Sequence, residues 1–164
     1  MKHYNSAVKN PPTVLYIFCG ILALASAAIV FLPVVTESGN AKNIFTVAFD
    51  GYGIGVSAIS NGAVDIGGIS KTVAISVAGA LALQIALQIV WAILSFARKR
   101  PAGVFGIISS ILFLALSLLT MSTVGYFAKP LDDVDATGVA YVMAALAFLG
   151  FVLSVIQLVK KKYL

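Results

Sequence analysis

Residues 13–35, 73–96, 104–128 and 138–159 form four runs without a single Asp, Glu, Lys, Arg or His. A bilayer core is about 30 Å thick, and a helix of about 20 apolar residues crosses it. Soluble domains average roughly 25% charged residues. Here the figure is 10%, all outside the four runs. A water-soluble core has no reason to keep four such runs free of charge. The expected fold is an all-α membrane protein, a bundle of four transmembrane helices forming one domain over 1–164. A small extracytoplasmic β-hairpin or sheet is expected in the connection 36–72.

The ends of the runs carry their own signals. Pro11 and Pro12 precede the first and Pro101 the third, where a missing N–H costs nothing. Lys129-Pro130 closes the third, and 135–138 gives the fourth a polar start. Tyr16, Trp91, Tyr126 and Tyr141 lie near run ends, where amphipathic rings favour the headgroup layer. Ala25-Ser26-Ala27 offers a signal-peptide cleavage pattern, but the apolar run continues past it.

Charge sets the orientation. Lys2, Lys9, Arg98, Lys99, Arg100, Lys160, Lys161 and Lys162 fall on one side of a four-crossing chain. Lys42, Lys71 and Lys129 fall on the other, with all six acids. The formal net charge of +5 thus divides into +8 and −3. That asymmetry places both termini in the cytoplasm. It also accounts for the basic balance by topology and attraction to anionic lipid, so no nucleic acid is expected. With no Asn-x-Ser/Thr in any connection, the expected location is a prokaryotic plasma membrane.

The long connection reads as β-structure. Asn61-Gly62 suits a type I′ turn, whose two central residues both need positive φ. Ile59 then faces Val64 across the ladder, and Ser57 faces Ile66. Upstream, Phe45, Val47 and Phe49 alternate with smaller residues, a third candidate strand over 43–49. The competing reading of 43–49 is a short interfacial helix. Asp50-Gly51-Tyr52-Gly53-Ile54-Gly55 reads as a turn between strands, since a phosphate loop needs a following helix and usually a Lys.

Four helices, both ends inside and a long first outer connection resemble the claudin-type tetraspan arrangement. Claudins carry a Trp and two cysteines in that connection, and this chain has neither there. Tight-junction function and the loop disulfide therefore do not follow. The chain is also similar to small bacterial tetraspan membrane proteins whose role is not established. There the first helix closes in a Leu-Pro, as at Leu32-Pro33, before a segment like "NIFTVAFDGYGIG". The resemblance implies fold and location only.

Catalytic chemistry has few candidates. Cys19 is the one cysteine and His3 the one histidine, so disulfide exchange and His/Cys metal sites lack their groups. Asp132, Asp133 and Asp135 read as an acidic outer stretch rather than a Ca²⁺ loop. No cofactor, metal or enzyme activity is expected. Coupled transport usually needs an ionisable residue in the membrane, and the runs hold none. Their largest polar features are Gln84 and Gln88, one turn apart, with Ser117, Thr120 and Gln157 as candidate partners. Interhelical amide bonds of about 0.6 to 2 kcal/mol each are one role for them, and a polar path is the other. Small residues at 78, 82 and 86, at 106 and 110, and at 140 and 144 suit close helix packing.

Two functions fit. The first is a non-enzymatic scaffold or accessory subunit that binds a membrane or envelope protein through the first outer connection. Phe45, Phe49, Asp50, Tyr52, Ile59, Asn61 and Val64 would form its surface. The alternative is a small uncoupled channel or transporter near Gln84, Gln88 and Gln157. Expected partners are the lipid bilayer, that membrane or envelope protein, and a second copy of the chain.

Overall fold

A computed structural model describes residues 13–37, 39–44, 67–128 and 134–160. It is mostly helical, with α1 (Thr13–Ile29), α2 (Gly67–Phe96), α3 (Ala102–Ala128) and α4 (Val139–Lys160). Three short strands, β1 (Pro33–Glu37), β2 (Asn40–Asn43) and β3 (Val134–Ala136), form one antiparallel sheet in the order β2-β1-β3. Segments Ser76–Phe96, Ala102–Ser122 and Val139–Val159 are each long and apolar enough to cross a membrane; α1 is shorter.

On each helix a series of the buried side chains repeats at alternating spacings of three and four. They are Tyr16, Cys19, Ala23, Ser26 and Val30 at α1 and just beyond it, then Leu81, Gln84, Gln88, Trp91 and Ser95 on α2. On α3 they are Ala102, Ser109, Phe113, Leu116 and Thr120 with Gly106, and on α4 Ala140, Met143, Ala147, Ser154 and Gln157 with Gly150. This 3.5-residue seam is the packing of left-handed bundles. Each helix packs on its sequence neighbours, and α1 also packs on α4, which closes the ring. Cys19 and Ala23 share a cluster with Trp91, Ala92 and Ala102; Ile29 and Val30 share another with Leu81, Phe113 and Met143. Neighbouring helices are therefore antiparallel.

The large apolar side chains mostly point outward, Val14, Phe18, Ile93, Ile111 and Phe148 among them. Polar and small residues make up most of the seam, with Val30, Leu81, Trp91, Phe113, Leu116 and Met143 as its larger apolar members. In water this arrangement would leave an apolar surface far larger than soluble monomers tolerate.

The first apolar run does not form one helix to residue 35. α1 ends at Ile29, and the N–H groups of Phe31 and Leu32 bond back to the carbonyls of Ala28 and Ile29 at 3.1 and 3.0 Å. Pro33 disfavours helix at Leu32 and has no N–H to donate. The β-branched Val34, Val35 and Thr36 then favour a strand. Apolar content marked the run, but proline and side-chain branching decided its last residues.

The described sheet is built from residues other than those of the expected hairpin at 57–66. β1 and β2 pair with Glu37 opposite Asn40. Gly39 has φ +81°, a conformation glycine adopts without strain. A bulge between Pro33 and Val35 leaves Val34 out of the β1–β2 pairing, so Val34 and Val35 both bury in the core, which strict alternation forbids. Asn43 ends β2 and Ile44 is not in the strand, while residues 45–49 of the expected strand over 43–49 lie outside the described residues. The proposed hairpin at 57–66 lies outside the described residues.

β3 comes from the connection between α3 and α4. It pairs with β1 through Val35 opposite Ala136 and Glu37 opposite Val134. Thr137 fastens the joint. Its hydroxyl donates to the Pro33 carbonyl at 2.6 Å and accepts the Val139 N–H at 3.4 Å, capping α4. Its own N–H reaches the Val34 carbonyl at 3.0 Å. At the opposite end, Arg98 takes φ 51°. The Arg98 N–H bonds to Ser95 O and the Lys99 N–H to Leu94 O, a Schellman closure of α2. Pro101 then opens α3.

α2 starts at Gly67, several residues before its apolar run, and includes Lys71. Helical hydrogen bonding does not stop where apolarity does.

Candidate functional site

The seam is the chemically distinctive part of the described molecule. Antiparallel packing and the shared clusters stack it in five layers. Tyr16, Ser95, Ala102 and Gln157 lie in the first, farthest from the sheet; Cys19, Trp91, Gly106 and Ser154 in the second. Ala23, Gln88, Ser109 with Ser110, and Gly150 make the third. By the same antiparallel register Ser26 and Gln84 fall with Phe113 and Ala147 in the fourth, and Val30, Leu81, Leu116 and Met143 make the fifth, against the sheet.

Trp91 organises the first two layers. Its indole N–H donates to Gln157 Oε1 at 3.3 Å, and Gln157 Nε2 donates to Ser95 Oγ at 3.3 Å. The ring lies flat against two glycines. A methyl group at Gly106 would sit 2.6 Å from the indole Cε2 and Nε1 and would overlap Ser154 Oγ. One at Gly150 would sit 2.8 Å from Ser110 Oγ and 3.4 Å from the indole Cη2. At Gly103 it would meet backbone, 3.0 Å from the Ser154 carbonyl oxygen and 3.1 Å from the Leu158 nitrogen. The backbones of α3 and α4 touch here, which only small residues permit. Trp91 is therefore no headgroup anchor. It is fully buried, while Tyr141 is 67% exposed.

Gln84 and Gln88 are also fully buried. Gln84 Nε2 reaches Ser109 Oγ at 3.5 Å, so its described partner is neither Ser117 nor Thr120. Those two hydroxyls donate to their own helix, to Phe113 O at 2.6 Å and Leu116 O at 2.7 Å. Ser154 does likewise with Gly150 O at 2.7 Å. Such back-bonding satisfies a buried hydroxyl without a partner helix. Gln157 spends both ends of its amide on α2. The carbonyl oxygens of Gln84 and Gln88 and the hydroxyls of Ser26 and Ser110 have no hydrogen-bond partner among the described residues.

Phe45, Phe49, Asp50, Tyr52, Ile59, Asn61 and Val64 lie outside the described residues. Ala82 and Ala86 face outward, so that stripe does not pack inside the bundle, whereas Gly106, Ser110 and Ala140 do. Trp91, Ser95, Ser109 and Ser154 are the seam residues that sequence reasoning missed. The signal was present: 84, 88, 91 and 95 are spaced four, three and four. No family model, curated protein or solved structure matches the chain.

Proposed function

We propose that this protein is a non-enzymatic, multi-pass membrane tetraspan, claudin-like in topology only, that acts as a scaffold or accessory subunit. It binds a membrane or envelope partner through the face carrying the sheet. The observation that carries this reading is the sheet itself. β1 and β2 from one connection and β3 from another are joined into one platform at one end of a bundle with an apolar exterior. A chain that only spanned the bilayer would not need its two connections tied together.

The 17-residue α1 rises about 25 Å, and a short span is matched by local bilayer thinning. The exposed Arg98, Lys99 and Arg100 mark the cytoplasmic end, in a prokaryotic plasma membrane, with both termini there and the sheet outside. The channel alternative draws on the unpartnered Gln84 and Gln88 oxygens. Against it, Trp91 fills the seam between Gly106 and Gly150.

Two measurements test this. In a Cys19→Ala background, Asn40→Cys should react with an impermeant thiol reagent in intact cells and Lys99→Cys should not; equal labelling overturns the topology. A photo-crosslinker at Asn40 or Ala41 should capture one discrete protein, and one at Phe148 only lipid. Flux in liposomes abolished by Gln88→Leu, with no crosslink at the sheet, would establish the channel instead.

A further inference from the structure

The four unpartnered oxygens are not scattered. Ser26 and Gln84 lie in the fourth layer of the seam, Gln88 and Ser110 in the third. Consecutive layers are about 5 Å apart along the axis. Each of the four residues is at most 1% exposed, and each oxygen lacks a partner among the described residues. The first and fifth layers contrast with these two. In the first, Gln157 bonds to both Trp91 and Ser95. The fifth is Val30, Leu81, Leu116 and Met143, with no polar side chain. Ala23, Ala147 and Gly150 place small side chains at the same depth.

We propose that the third and fourth layers form a binding site for water, one or two molecules held at mid-depth inside the bundle. A buried polar oxygen left unpaired costs about 1–3 kcal/mol, so four in two adjacent layers favour an occupant strongly. The donor set selects its chemistry. Two amide carbonyls only accept, and two serine hydroxyls both donate and accept. The occupant must therefore donate at least twice and also accept. Water does both, and a buried water typically makes about three hydrogen bonds. No Asp, Glu, Lys or Arg lies within the described seam, so an ion there would be an uncompensated charge far from water. The occupant is neutral. The site gives the carbonyl oxygens of Gln84 and Gln88 a role beyond the direct Gln84–Ser109 bond between α2 and α3. It is independent of the partner reading, needing only the folded bundle.

Water-edited solid-state NMR on the full chain in lipid, with labelled Gln side chains, tests it. Polarisation from water should reach the Gln84 and Gln88 amides several-fold faster than the Gln157 amide, whose two ends are already bonded. Gln88→Leu should slow the transfer to Gln84. If that variant does not fold, Ser110→Ala should have the same effect. Transfer to Gln84 and Gln88 as slow as to Gln157 would show the layers to be dry and overturn the proposal. A change in their shifts when potassium replaces choline would show an ion and overturn it as well.

Discussion

The two halves of the bundle are built on different principles. Beside the sheet, Val30, Val34, Leu81, Phe113 and Met143 fill space with branched and aromatic side chains, and the sheet covers them. At the other end Trp91 is wedged between Gly106 and Gly150, and its indole, Gln157 and Ser95 form one chain of hydrogen bonds. The first half depends on volume, which several apolar residues supply about equally well. The second depends on backbone proximity and polar pairing, which almost no substitution preserves. One seam thus contains a tolerant region and an intolerant one.

Trp91→Ala should break the intolerant half most. It removes the ring and strands Gln157 Oε1, and should cost about 3–5 kcal/mol, read as a large fall in melting temperature by circular dichroism in detergent. Gly106→Ala sharpens the contrast. One added methyl collides with the indole and should cost about 1–3 kcal/mol. Leu81→Met beside the sheet preserves volume and should cost under about 1.5 kcal/mol. If Gly106→Ala melts no lower than Leu81→Met, the two halves do not differ as described.

Thr137→Val tests the sheet joint. It deletes the hydroxyl that caps α4 and bonds to Pro33 O, so a loss of about 1 kcal/mol is expected. Amide exchange should quicken at 134–137 while the Trp91 end stays protected. The smallest effect is a gain. Arg98 occupies a left-handed conformation that costs a side-chain-bearing residue about 1–2 kcal/mol. Arg98→Gly should raise the melting temperature slightly, and a fall would mean that the arginine makes contacts that outweigh its backbone strain.

Four charge-free runs determined by themselves that four helices form, because a long apolar segment without charge has few other stable conformations. Three of the four ended within a few residues of where helical bonding ends, although α2 began earlier. The first run misled because Pro33, which withdraws an N–H, and the branched residues after it outweigh apolarity. Part of the seam was legible in principle, as small and polar residues spaced three and four apart between large apolar residues that face outward. Several decisions belonged to tertiary structure. The pairing of β1 with β3 joins segments about a hundred positions apart in the chain, and no local propensity encodes such a partner. The burial of Trp91 required Gly106 and Gly150 from two other helices to leave it room. The unpaired oxygens of Ser26, Gln84, Gln88 and Ser110 came into two adjacent layers only because antiparallel packing sets the register between helices, and register is a property of contacts that no single segment carries.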